Sequence, residues 1–100
     1  MKKYKTIREL FRAPSHWTKG SLAVTKYGYE CPVNANDAVC FCLEGAIRFI
    51  YPVKQRASVR KKLLATIKEK FNGFSNIIAF NDHMDRTIGH IREVVKMARV

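Results

Sequence analysis

Acidic residues are scarce in this chain. Only eight Asp and Glu stand against nineteen Lys and Arg in 100 residues, a net charge of +11. A catalytic pair of carboxylates therefore has little to draw on, and no paired-carboxylate constellation stands out. Cysteines are few and odd in number: Cys31, Cys40 and Cys42. That excludes a disulfide framework and fits reduced thiols in a cytoplasmic setting. A long apolar run is also missing. The longest stretch, Ala38 to Ile50, is broken by Glu44, Gly45 and Arg48 and falls short of the roughly 20 residues that span a bilayer. The opening MKKYKTIRELF has a basic start but no apolar region after it, so it is not read as a secretory signal. Glycine-rich phosphate loops, serine nucleophile elbows, zinc spacings, repeats and linkers are all absent from the sequence. No metal or cofactor is expected.

Apolar content of 47% marks an ordered globular chain, and 100 residues suit one domain, 1–100. Periodicity predicts a short helix over 3–12, with Tyr4, Ile7, Leu10 and Phe11 on one face before Pro14. Residues 15–35 read as irregular, with a weak hairpin in 21–32. A central helix is expected over 36–50, apolar on most faces and therefore buried, capped by Asn34 or Asn36 and stopped by Pro52. A second long helix covers 56–71, with Val59, Leu63, Leu64, Ile67 and Phe71 forming a stripe before Asn72-Gly73. The run 76–80 suits a buried strand or an extended link. Asn81, Asp82 and Asp85 make a turn before a final amphipathic helix over 86–99. The fold class is mainly α: a small helical bundle of about four helices with a buried central helix and minor β structure.

Three short patterns follow one another: Trp17-Thr18-Lys19-Gly20, Phe41-Cys42-Leu43-Glu44-Gly45-Ala46, and Phe80-Asn81-Asp82 with Thr87 beyond it. In this order they resemble a family of small uncharacterised phage and bacterial proteins, notably actinobacterial, over about residues 15–98. The resemblance implies no assigned reaction; it implies accessory or host-interaction roles inside a bacterial cell. The heavy Lys/Arg load of 54–70 departs from that family's pattern, so a charge-based function would belong to this chain.

An excess of positive charge repels itself in a compact state and is relieved by an anionic partner. Between Arg56 and Lys70 the cations Arg56, Arg60, Lys61, Lys62, Lys68 and Lys70 meet one acid, Glu69. They are the candidate contacts for nucleic acid, a nucleotide-like ligand or another polyanion, held by phosphate contacts without base readout. The alternative partner is an acidic patch on a host protein, with the chain as inhibitor or adaptor. Trp17, Asn81, Asp82 and Thr87 are possible ligand contacts, though a polar residue before a helix more often caps it. A cysteine-dependent enzyme is the third reading, with Cys42 as nucleophile, His83 or His90 as base, and Asn81 or Asp82 as orienter. A cysteine inside an apolar helix is poorly suited to that role. Cys40 and Cys42, two apart on such a helix, would point roughly 200° from each other and could not share a metal.

Overall fold

The computed structural model describes residues 4–100. It is mainly α with a small β element, in the order α1 (Ile7–Leu10), a 3-10 turn (Pro14–His16), β1 (Ala23–Thr25), β2 (Ala38–Phe41), α2 (Leu43–Ile50), α3 (Val53–Lys70), α4 (Ile77–Asp82) and α5 (Ile88–Ala98). Among the described residues no helix is long and apolar enough to cross a membrane.

The predicted helix over 3–12 contracts to α1, and residue 3 lies outside the described residues. Thr6 caps α1 by accepting from the Glu9 amide at 3.1 Å. Only Ile7, Leu10 and Phe11 find a buried surface, and without further packing a helix this short does not propagate.

The expected helix over 36–50 is corrected: residues 36–37 are a turn and Ala38–Phe41 is a strand. Ala38–Phe41 pairs antiparallel with β1, placing Ala23 opposite Phe41 and Val24 opposite Cys40, with an irregularity between Val24 and Thr25. The β-branched and aromatic side chains of this segment suit a pleated surface, and a strand partner outweighs the helical pattern. The chain turns into α2 at Cys42, whose backbone is extended and whose Sγ accepts from the Gly45 amide at 3.3 Å. Cys42 is thus a helix cap and not a mid-helix residue.

Gly45 has a separate task. A Cβ built there would lie 1.8 Å from the Leu22 carbonyl oxygen. The lack of a side chain lets the segment before β1 cross directly over α2, where Leu22 O also accepts from the Cys42 amide at 3.3 Å.

α3 starts three residues earlier than the pattern predicts, because Pro52 supplies a helix-compatible φ and accepts from the Gln55 amide at 2.9 Å. The run 76–80 is neither strand nor link. Asn76 caps it through the Ala79 amide at 2.7 Å, and Ile77 and Phe80, three apart, are buried on one face. The final helix is capped by Thr87, which exchanges hydrogen bonds with His90 at its third position. It ends at Arg99 in the left-handed region, φ 58°.

α3 packs along α5, and α2 lies against α3, α4 and α1. The buried cluster joins Ile7, Leu10 and Phe11 to Phe41, Leu43, Ile47, Leu63, Ile67, Phe80, Ile91, Val94 and Val95. Each such side chain stabilises the fold by about 1.5–3 kcal/mol relative to exposure.

Candidate anion-binding surface

The three sequence patterns meet at the start of α2. Asn81 is fully buried. Its Oδ1 accepts from Trp17 Nε1 at 2.7 Å and from the Leu43 amide at 3.0 Å. Its Nδ2 donates to the Thr18 carbonyl at 3.1 Å and to Asp82 Oδ1 at 2.9 Å. Asp82 Oδ1 also accepts from the Gly20 amide at 3.0 Å, and Lys19 Nζ reaches the His83 carbonyl at 2.7 Å. One side chain therefore ties the Trp-Thr-Lys-Gly loop, the first turn of α2 and the end of α4 together. An amide has two donors and room for two acceptor bonds, and Asn81 uses all four. Thr87 stands apart from this clasp, as the cap of α5.

Cys42 is buried, and its thiol is pushed above the ordinary range by burial. Burial prevails over the amide hydrogen bonds from Gly45 and Glu44, which act in the opposite direction, and the negative charges of Asp82 and Glu44 add a smaller push upward. His83 Nδ1 accepts from the Asp85 amide and its ring packs on Phe74. His90 serves the α5 cap and packs on Phe71. Among the described residues neither histidine is hydrogen-bonded to Cys42. Cys40 lies on a strand, so the helical angle expected between it and Cys42 does not apply. Its Sγ donates to the Ser15 carbonyl at 2.9 Å.

The six cations of α3 divide into two kinds. Arg56 donates to the carbonyls of Tyr51 and Arg48 at 2.8 and 2.9 Å. Arg60 forks onto the buried carboxylate of Glu44, with Nη2 to Oε2 at 2.6 Å, and Arg48 reaches the same oxygen at 2.9 Å. Burial raises the affinity of Glu44 for a proton, but hydrogen bonds and charge from Arg60 and Arg48 prevail and hold its carboxyl below the usual range. Lys70 lies 3.5 Å from Glu93. Lys61, Lys62 and Lys68 are exposed and have no acidic partner within ion-pair distance among the described residues. At about 100° per residue, Lys61 and Lys68 share a line while Lys62 faces about 100° away. The six do not gather on one face.

A denser basic surface lies across α1, the end of α5 and the start of α3. A depression of about 920 Å³ between α1 and α5 is lined by Arg8, Lys96 and Arg99. It shares Arg8 and Lys96 with a second hollow that adds Arg12 and Arg92. It shares Thr6, Arg99 and Val100 with a third that adds Lys54 and Lys62. The three hollows are therefore contiguous. Glu93 is the acid among their linings, and it faces Lys70. Arg92 fixes the arrangement by donating to the carbonyls of Phe11 and Arg12 at 2.8 and 2.6 Å, where α1 ends. Charge of one sign along such hollows raises the local concentration of anions.

Of these residues only Lys62 belongs to the set that the sequence singles out. Arg8 with Arg12, and Arg92 with Lys96, do stand four apart at helical spacing. That α1 and α5 pack side by side, and so merge their cations, is a tertiary fact.

The structure thus defines a basic, mainly α chain whose small two-stranded sheet packs on α2, with cations grouped where α1, the end of α5 and the start of α3 meet. The profile of a family of unknown function, DUF6197, matches residues 4–99, and the chain belongs to that family. Neither a curated protein nor a solved structure matches it.

Proposed function

We propose that this chain is a non-enzymatic binding module that captures a polyanion, nucleic acid foremost, on the surface formed by α1, the end of α5 and the start of α3. The observation that carries this reading is the contiguity of three hollows whose linings hold Arg8, Arg12, Lys54, Lys62, Arg92, Lys96 and Arg99 against one acid, Glu93. Lys61 and Lys68 extend the positive field along α3, whereas Arg60 is paired with Glu44 and Arg56 lies outside the three linings. Contacts of this kind meet phosphates as charges and read no base edges, so sequence preference is weak. The resemblance of the three motifs to phage and bacterial proteins suits an accessory role within a bacterial cell.

Fluorescence anisotropy with mixed-sequence DNA and RNA at low and physiological salt tests the reading. Binding at low salt that fades steeply with added salt supports it. No binding of either nucleic acid at low salt refutes it.

A further inference from the structure

On the opposite flank of α3 lies a groove of a different character, about 780 Å³ in volume, between α3 and the start of α4. Ala57 and Leu64 line it from α3, and Ile77 and Ile78 from α4. Ile78 is 47% exposed, although large aliphatic side chains are usually covered. At its base the Glu44 carboxylate is held by Arg60 and Arg48, so the groove presents no unpaired acid there. Lys61 stands on its edge. Lys54 and Lys68 lie seven residues to either side of Lys61. Residues seven apart on a helix drift by only about 20°, at a spacing of about 10.5 Å, so these lysines run as a row beside the apolar trough.

We propose that this groove docks an acidic amphipathic helix of a partner protein, with apolar side chains seated against Leu64 and Ile78 and acidic side chains facing Lys61 and Lys68. The charge pattern selects this occupant. A phosphate backbone would satisfy the lysines but leave the trough against polar surface. A second copy of this chain has only eight acids in 100 residues and a net charge of +11, so it lacks the complementary face. A heptad-spaced acidic helix satisfies trough and lysine row together. The groove shares no lining residue with the three hollows on α1, α5 and the start of α3, although Lys54 of the row also lines the third of them.

The probe is a synthetic, labelled peptide of about three heptads, with leucines on one helical face and glutamates beside them. Its control is a permuted peptide of equal composition with no amphipathic face. The amphipathic peptide is expected to bind and the permuted one to bind at least about tenfold more weakly, since the apolar contact is lost. Leu64→Asp and, separately, the double variant Lys61→Glu/Lys68→Glu each weaken binding by about tenfold or more. Arg8→Glu/Lys96→Glu leaves it within about twofold. Leu64 is only half-buried, and circular dichroism of each variant confirms that it is folded. Equal affinity for the two peptides, no binding of either, or loss through Arg8→Glu/Lys96→Glu overturns the proposal. Displacement of the peptide by an oligonucleotide whose own binding depends on Lys61 and Lys68 also overturns it, by showing a polyanion surface in place of a protein dock.

Discussion

Replacing Asn81 with alanine should cost the fold about 3 kcal/mol, a sum that can be worked from its bonds. The substitution strands two donors, the Leu43 amide at the first turn of α2 and the Trp17 indole. A buried donor left unpaired costs about 1–3 kcal/mol. Leu43 is fully buried and takes the upper part of that range, while Trp17 is only partly covered and can find water. The carbonyl of Thr18 also loses its donor, but Asp82 keeps the Gly20 amide. For a chain of this length, about 3 kcal/mol lowers the melting temperature by roughly 12–24 °C. Urea unfolding followed through Trp17, the one tryptophan, gives the free energy. Asn81→Asp sharpens the test. It keeps one acceptor but sets a second carboxylate beside Asp82, where Nδ2 now donates at 2.9 Å. Burial and the neighbouring charge make the folded state hold that proton more tightly than the unfolded state. Stability lost at neutral pH should therefore return as pH falls toward the ordinary carboxylate range of about 4. A loss below about 1 kcal/mol for the alanine variant would show that the clasp does not hold the three segments, since even one stranded donor exceeds that.

Gly45→Ala forces its new methyl group into the Leu22 carbonyl and should cost about 3 kcal/mol or prevent folding. Gly89→Ala meets nothing nearer than Thr87 Oγ1 at 3.5 Å and should be neutral or stabilising by about 0.5–1 kcal/mol; thermal melts of the pair compare crowding with propensity at once. Glu44→Gln leaves Arg48 and Arg60 without their carboxylate and should lose about 2 kcal/mol at neutral pH. Because the folded carboxyl sits below its unfolded value, the contribution of Glu44 is complete above about pH 4.3 and vanishes as pH falls through the folded value. Denaturant curves of the two proteins should therefore converge in acid, and a gap that widens there would contradict the ion pair. In a Cys31→Ser/Cys40→Ser background, the buried thiol of Cys42 should react with a thiol reagent only after denaturant is added. Rapid native labelling would return Cys42 to consideration as a nucleophile.

Much of the helical content was legible in the sequence. The stripe Val59, Leu63 and Ile67 in α3 and the stripe Ile91, Val94, Val95 and Ala98 in α5 carry a period that only a helix satisfies. The segment 38–41 was not legible, because Ala-Val-Cys-Phe continues an apolar pattern that a helix or a strand can bury equally, and only pairing with β1 decides it. For 76–80 the overlooked signal was Asn76, a cap that makes two apolar residues three apart into a helical face. The motifs resembling a family were visible as strings, but their meaning as one clasp depends on a bond between residues 64 apart, Trp17 and Asn81. Composition announced the positive charge without saying where it collects. Arg60 counts in the sequence as an available cation, yet a buried Glu44 from another helix consumes it. Arg8 and Lys96 attract no notice until α1 lies on α5.

The slope of log binding constant against log salt, measured for one mixed-sequence duplex, tests the polyanion surface most directly. Each cation that meets a phosphate contributes about −0.9 to that slope. Arg8→Glu/Lys96→Glu should therefore flatten it by about two units and weaken binding uniformly across sequences, while Lys61→Glu/Lys68→Glu changes it much less. Equal slopes for the wild type and the Arg8→Glu/Lys96→Glu variant would place the contacts elsewhere and contradict the assignment.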